Sequence, residues 1–174
     1  MNSKNNMAKT RRLVLTSLFF ATSLVLSLIE NALPPLPFVV PGVKLGLSNV
    51  AVMYALFFLG QGEAFIIAAL KAGFVVLLRG PVAGFLSLSG GLLSVGVMAL
   101  LLFLFGEKIS YLVTSICGAV CHNIGQFAAI SLVYTNIYLW VYLPVLLVAG
   151  VFAGVATSAL LAVTFPILKK LGLQ

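Results

Sequence analysis

The chain has 174 residues, 62% of them hydrophobic and 7% charged, with a mean hydropathy of +1.22. Soluble domains carry about a quarter charged residues, so this composition excludes a water-soluble globule and implies an integral membrane protein. The net charge of +7, from 10 Lys and Arg against 3 acids, reads as orientation signal and contact with anionic lipid. The basic residues form no soluble patch, so nucleic acid is not an expected partner.

The apolar runs are long and lack alternation, which predicts helical spans rather than barrel strands. A basic tail over residues 1–11 precedes the first apolar run, Leu13 to Ile29. That run lacks a small-residue cleavage pattern and more apolar segments follow, so it reads as a first transmembrane helix and not a secretory signal. Helices are expected at about 12–31, 44–59, 63–78, 84–105, 109–134 and 139–170. Gly60-Gln61-Gly62, Arg79-Gly80-Pro81 and Gly106-Glu107-Lys108 mark turns. The whole chain, 1–174, reads as a single transmembrane domain, all-α, with six spans. The fourth helix carries Ser87, Ser89, Gly90, Gly91, Ser94 and Gly96, a small-residue face for close packing. Ser17 and Ala21, with Ser23 and Ser27, give two small-xxx-small spacings on the first helix. Gly150 and Gly154 form a GxxxG on the last, read as internal packing. Cys117 and Cys121, i and i+4 in one apolar helix, read as small buried thiols rather than a redox pair or metal site.

Six spans put both termini on one side. Lys4, Lys9, Arg11, Arg12, Lys108, Lys169 and Lys170 fall on that side, and Lys44 and Arg79 on the other. The excess of positive charge assigns the termini to the cytoplasm and the protein to the cell membrane. The segment 32–43 then faces outward. It belongs to the stretch from Glu30 to Asn49, which breaks the apolar pattern with Pro34, Pro35, Pro37 and Pro41, two glycines, Asn31 and Lys44. Non-helical backbone at membrane depth needs protein or a water-filled cavity around it, so this segment reads as the rim, or lid, of a site. Tyr134, Tyr138, Trp140 and Tyr142 would mark the same interface.

Three polar features are not explained by orientation. Lys71 lies near the middle of the third helix, where a cation costs about 2.5–3.5 kcal/mol. The chain has no Asp, and Glu63 is too far along the helix to pair with it, about 12 Å away. Lys71 therefore pairs with Glu30, rests on backbone carbonyls, or faces a cavity that binds an anion. His122, Asn123 and Gln126 form the second feature: His122 and Gln126 share a face, and all three must point at protein or ligand. Interhelical hydrogen bonding would also satisfy them. The third is the outer group of Lys44, Ser48, Asn49 and Arg79. Together the three describe an outward-opening pocket for a small anionic or polar molecule. Catalytic and metal sites are not expected, because general acid–base and Mg²⁺ chemistry need carboxylates that this chain does not group. No cofactor motif is present.

PGVKLGLSNVAVMYAL, LLRGP, LSLSGGLLSVGVMALL and above all GAVCHNIGQ resemble the membrane family labelled heptaprenyl diphosphate synthase component I, also called the Gx transporter family. The resemblance covers about residues 13–168. That family is similar to the substrate-binding S components of energy-coupling factor (ECF) vitamin transporters. It implies a six-helix bundle with cytoplasmic termini, an outward site covered by the loop after helix 1, and partners: a transmembrane coupling protein and ATPase subunits. Carried onto this chain, it implies ligand-binding roles for Lys44, Asn49, Arg79, His122, Asn123 and Gln126, with Lys71 added on physical grounds. It also implies docking to the coupling protein through small residues of the first helix. The expected function is uptake of a small vitamin-like anion, a flavin or an isoprenoid- or quinone-related precursor. The alternative is a non-catalytic membrane subunit that recruits or regulates a prenyl diphosphate synthase.

Overall fold

The computed structural model describes residues 2–32, 47–134 and 139–170. They form six α-helices: α1 (Asn2–Ala32), α2 (Leu47–Phe58), α3 (Gln61–Arg79), α4 (Pro81–Phe105), α5 (Tyr111–Val133) and α6 (Leu139–Lys170). A short 3₁₀ turn, Gly106–Lys108, precedes α5. There is no strand among the described residues.

The punctuation follows from local chemistry. Gly60 stands between α2 and α3 at φ 116°, ψ 179°, a conformation that residues with a Cβ adopt only under strain. Gly80 alone separates α3 from α4, and Pro81 opens α4, where its missing N–H needs no intrahelical partner. The sequence reading used Arg79-Gly80-Pro81 to end α3 but began α4 three residues late. Ser110 caps α5, its side chain accepting the Val113 N–H at 3.2 Å. α6 runs through Pro144 and Pro166 as one helix.

Five helices are long and apolar enough to cross a bilayer, with windows Lys9–Glu30, Gln61–Arg79, Pro81–Phe105, Tyr111–Val133 and Trp140–Thr164. The protein is therefore a multi-pass, all-α membrane bundle. α2, expected over about 44–59, is described over Leu47–Phe58; these 12 residues cover about 18 Å, and residues 44–46 lie outside the described ones. It is apolar on every side and enclosed, with Val50 through Leu56 all buried. Phe19 and Tyr54 stack beside it with ring centroids 6.0 Å apart. The outer faces carry large exposed side chains such as Leu77, Phe103 and Leu132, a surface suited to lipid rather than water.

Small residues set the helix spacing. A Cβ on Gly125 of α5 would lie 2.7 Å from the Ser89 carbonyl oxygen and 2.9 Å from Gly90 Cα of α4. A Cβ on Gly154 of α6 would lie 2.5 Å from Ile116 Cα of α5, and one on Gly150 3.0 Å from Val120 Cα, so the GxxxG is an internal seam. On α4, Ser87, Gly90 and Ser94 are buried as expected, whereas a Cβ on Gly96 would meet nothing within 4 Å. On α1, Ser23 and Ser27 point inward and are buried, while Ser17 and Ala21 are exposed. Of the two spacings, only Ser17 and Ala21 lie on the outer face of the bundle. Cys117 and Cys121 are free thiols, half-buried rather than fully buried.

At the end of the bundle where α1 enters, Arg12 forms an ion pair with Glu63. Its guanidinium also donates to Glu63 Oε2 and to the Leu59 carbonyl, both at 2.8 Å. This ties α1 to the α2–α3 turn and satisfies a carbonyl left open at a helix C-terminus. It also fixes direction: α1 rises from Arg12 to Glu30 while α2 descends from Ser48 to Leu59. α2 thus runs from the level of Lys71 to the Arg12 end of the bundle.

Candidate functional site

In the half of the bundle away from the Arg12–Glu63 pair lies a cavity of about 260 Å³. All six helices line it: α1 supplies Ser27 and Glu30, α2 Ser48 and Asn49, and α3 Lys71 and Arg79. α4 adds Ser87, α5 adds His122, Asn123 and Gln126, and α6 adds Leu146 and Ala153. Polar side chains from five helices and apolar ones from the sixth thus meet in one space, although each helix alone shows only one to three of them.

Lys71 lies deepest along α3, two turns and about 12 Å before Arg79. It is buried. Its ammonium donates to Ser48 Oγ at 2.6 Å and to Asn49 Oδ1 at 3.1 Å. Both acceptors belong to α2, which fixes the position of the ammonium group. Arg79 is exposed at the end of α3 and stands at the rim. Glu30, the one acid on the wall among the described residues, is buried on α1.

The α5 wall is set by glycine. A Cβ on Gly90 of α4 would lie 2.8 Å from Gln126 Cγ and from the His122 carbonyl. Close approach of α4 and α5 therefore holds His122 and Gln126 against the cavity. Asn123 has a divided role. Its amide donates to the Leu146 carbonyl of α6 at 2.7 Å, an interhelical bond that locks one end of its side chain while the residue still lines the cavity. A smaller void of about 10 Å³ lies next to the first, shared by Asn49, Lys71 and Ser87 and floored by Ser94 and Met98; it offers space on the scale of one water.

Of the seven residues expected to bind ligand, Asn49, Lys71, Arg79, His122, Asn123 and Gln126 line this one cavity. Lys44 lies outside the described residues, as does the expected lid over 32–43 apart from Ala32, which ends α1. Tyr138 is outside them too. Ser27 and Ser87 were missed as wall residues. Nothing in a serine on an apolar helix signals a cavity, since the same residue equally serves helix packing. Among the described residues no group of three His, Cys, Asp or Glu could hold a metal ion.

The multi-pass helical bundle defines an all-α integral membrane protein, with a polar cavity near one end. The chain belongs to the heptaprenyl diphosphate synthase component I family, whose model matches residues 19–164. Neither the curated proteins nor the solved structures compared with it gave a match.

Proposed function

We propose that the protein is the substrate-binding membrane subunit, the S component, of an ECF-type transporter, and that it captures a small vitamin-like anion. The observation that supports this is the cavity of about 260 Å³ walled by Lys71, Arg79 and the His122, Asn123 and Gln126 face. Charged and amide side chains inside a bilayer are costly unless they serve a site or a partner. The charge asymmetry of the chain orients the cavity outward, with both termini in the cytoplasm of a cell membrane. Substrate would enter from that side, and ATP hydrolysis by partner subunits would drive reorientation and release. The exposed Ser17–Ala21 face of α1 is the surface offered to the coupling protein.

The test is a pull-down of the tagged chain from native membranes. Transport predicts recovery of a transmembrane coupling protein with ATPase subunits. A second reading is favoured by the family's own description, which names a synthase component: a non-catalytic subunit that recruits a soluble prenyl diphosphate synthase. Recovery of such a synthase without ATPase subunits would replace the first reading with the second.

A further inference from the structure

On α4, Ser87, Gly91 and Ser94 follow at i, i+4 and i+7 and so share one face. All three line the smaller void of about 10 Å³, together with Asn49 of α2 and Lys71 of α3. Ser94 is 4% exposed and Ser87 8%, so water reaches neither from outside. A hydroxyl in an apolar helix can return to the carbonyl four residues earlier. This chain uses that solution at Thr16, Thr22, Ser89, Thr114 and Thr164. Ser87 and Ser94 do not use it, and among the described residues neither hydroxyl has a hydrogen-bond partner. A buried hydroxyl left that way costs free energy. Two of them on the wall of one void point to an occupant.

We infer that the void holds one ordered water, bonded to Ser94 Oγ and joining α4 to Asn49 or Lys71. The space suffices, since a water needs roughly 10–15 Å³. A buried water also needs two to four polar partners. Ser94, Asn49 and Lys71 bring a hydroxyl, an amide and an ammonium group to the same void. Asn49 turns its Oδ1 to Lys71 at 3.1 Å, and its NH₂ donors have no partner among the described residues. A cation does not suit the site, because Lys71 stands on its wall and no described acid borders it. Ser94 does not line the larger cavity. It is therefore a positioning residue, acting on the floor of that cavity through Asn49 or Lys71 by way of the water. The inference holds whichever function the larger cavity serves.

Double-mutant cycles on the full-length chain in detergent test it. Ser94→Ala is measured by equilibrium denaturant titration in the unmodified chain and in Asn49→Leu and Lys71→Met backgrounds. The gain in helix propensity from Ser to Ala is the same in every arm and cancels. Ser94 makes no direct hydrogen bond to Asn49 or Lys71, so any coupling has to pass through something between them. With the water in place, Ser94→Ala should raise the unfolding constant more in the unmodified chain than in at least one background. The difference should be roughly two- to tenfold, the effect of one hydrogen bond. Ser89→Ala is the control: its hydroxyl bonds within α4, and its effect should be the same in all three chains. A crystal structure of the unmodified chain, at a resolution that shows ordered solvent, gives a reading free of variants. One solvent peak should lie about 2.7–3.2 Å from Ser94 Oγ and from Asn49 or Lys71. Additive effects of Ser94→Ala in both backgrounds overturn the inference. So does a structure in which the void is dry, or is filled by part of a molecule bound in the larger cavity.

Discussion

Gly125→Ala tests the packing that holds the α5 wall of the cavity in place. The added methyl would lie 2.7 Å from the Ser89 carbonyl oxygen and 2.9 Å from Gly90 Cα. Ordinary contact begins at 3.4 Å, so α4 and α5 must separate by about 0.7 Å, and both obstacles are backbone that cannot rotate aside. Overpacking of this kind costs about 1–3 kcal/mol. Alanine also raises helix propensity by about 1 kcal/mol, which would hide part of the effect. Gly73→Ala on α3 supplies the control, because a Cβ there meets nothing within 4 Å and the propensity gain is the same. Gly125→Ala should therefore be about 1–3 kcal/mol less stable than Gly73→Ala, or about 2–12 °C lower in Tm at roughly 2–4 °C per kcal/mol. Thermal unfolding in detergent, followed by circular dichroism, reads the difference. His122 and Gln126 lie on the turn that moves, so binding of any cavity ligand should weaken in the same variant. Equal Tm values for the two variants, with binding unchanged, would refute the claim that this glycine seam positions the wall.

The other predictions concern single contacts. Lys71→Ala and His122→Ala should each weaken ligand binding in calorimetry while the far-ultraviolet circular dichroism stays helical; unchanged affinity in both would remove the cavity as the binding site. A double-mutant cycle on Arg12→Ala and Glu63→Gln should give a coupling of about 0.2–1 kcal/mol, the range for exposed pairs, and it should shrink as salt is added. Gly60→Ala, forced into φ 116°, should cost about 1–3 kcal/mol by thermal unfolding, against no loss for Gly62→Ala, which lies within α3 and whose Cβ meets nothing within 4 Å. Asn123→Leu should lose about 0.6 kcal/mol, the average for one interhelical bond in a membrane; a loss several times larger would make Asn123 a central lock between α5 and α6.

Composition and punctuation made the membrane class and the helix order readable from the chain alone. Water does not reach the hydrocarbon core, so only long apolar helices survive there, and Gly60, Gly80 and Gly106 mark the breaks without ambiguity. The costly residues were legible for the same reason: Lys71, His122 and Gln126 stand out against apolar neighbours because burying them needs a cause. What stayed hidden is everything set by azimuth and distance. Ser17 and Ala21 share a spacing with Ser23 and Ser27, yet one pair is exposed and the other buried, because the side of α1 that meets α2 is chosen by packing between helices. Ser48 and Asn49, which accept hydrogen bonds from Lys71, lie more than twenty residues away from it in sequence. The pairing of Arg12 with Glu63 was likewise invisible. Sequence periodicity reports which face of a helix is apolar, but in lipid both buried and lipid-facing sides are apolar. Only the close approach of helices at Gly90, Gly125, Gly150 and Gly154 decides which polar groups meet, and therefore where the cavity lies.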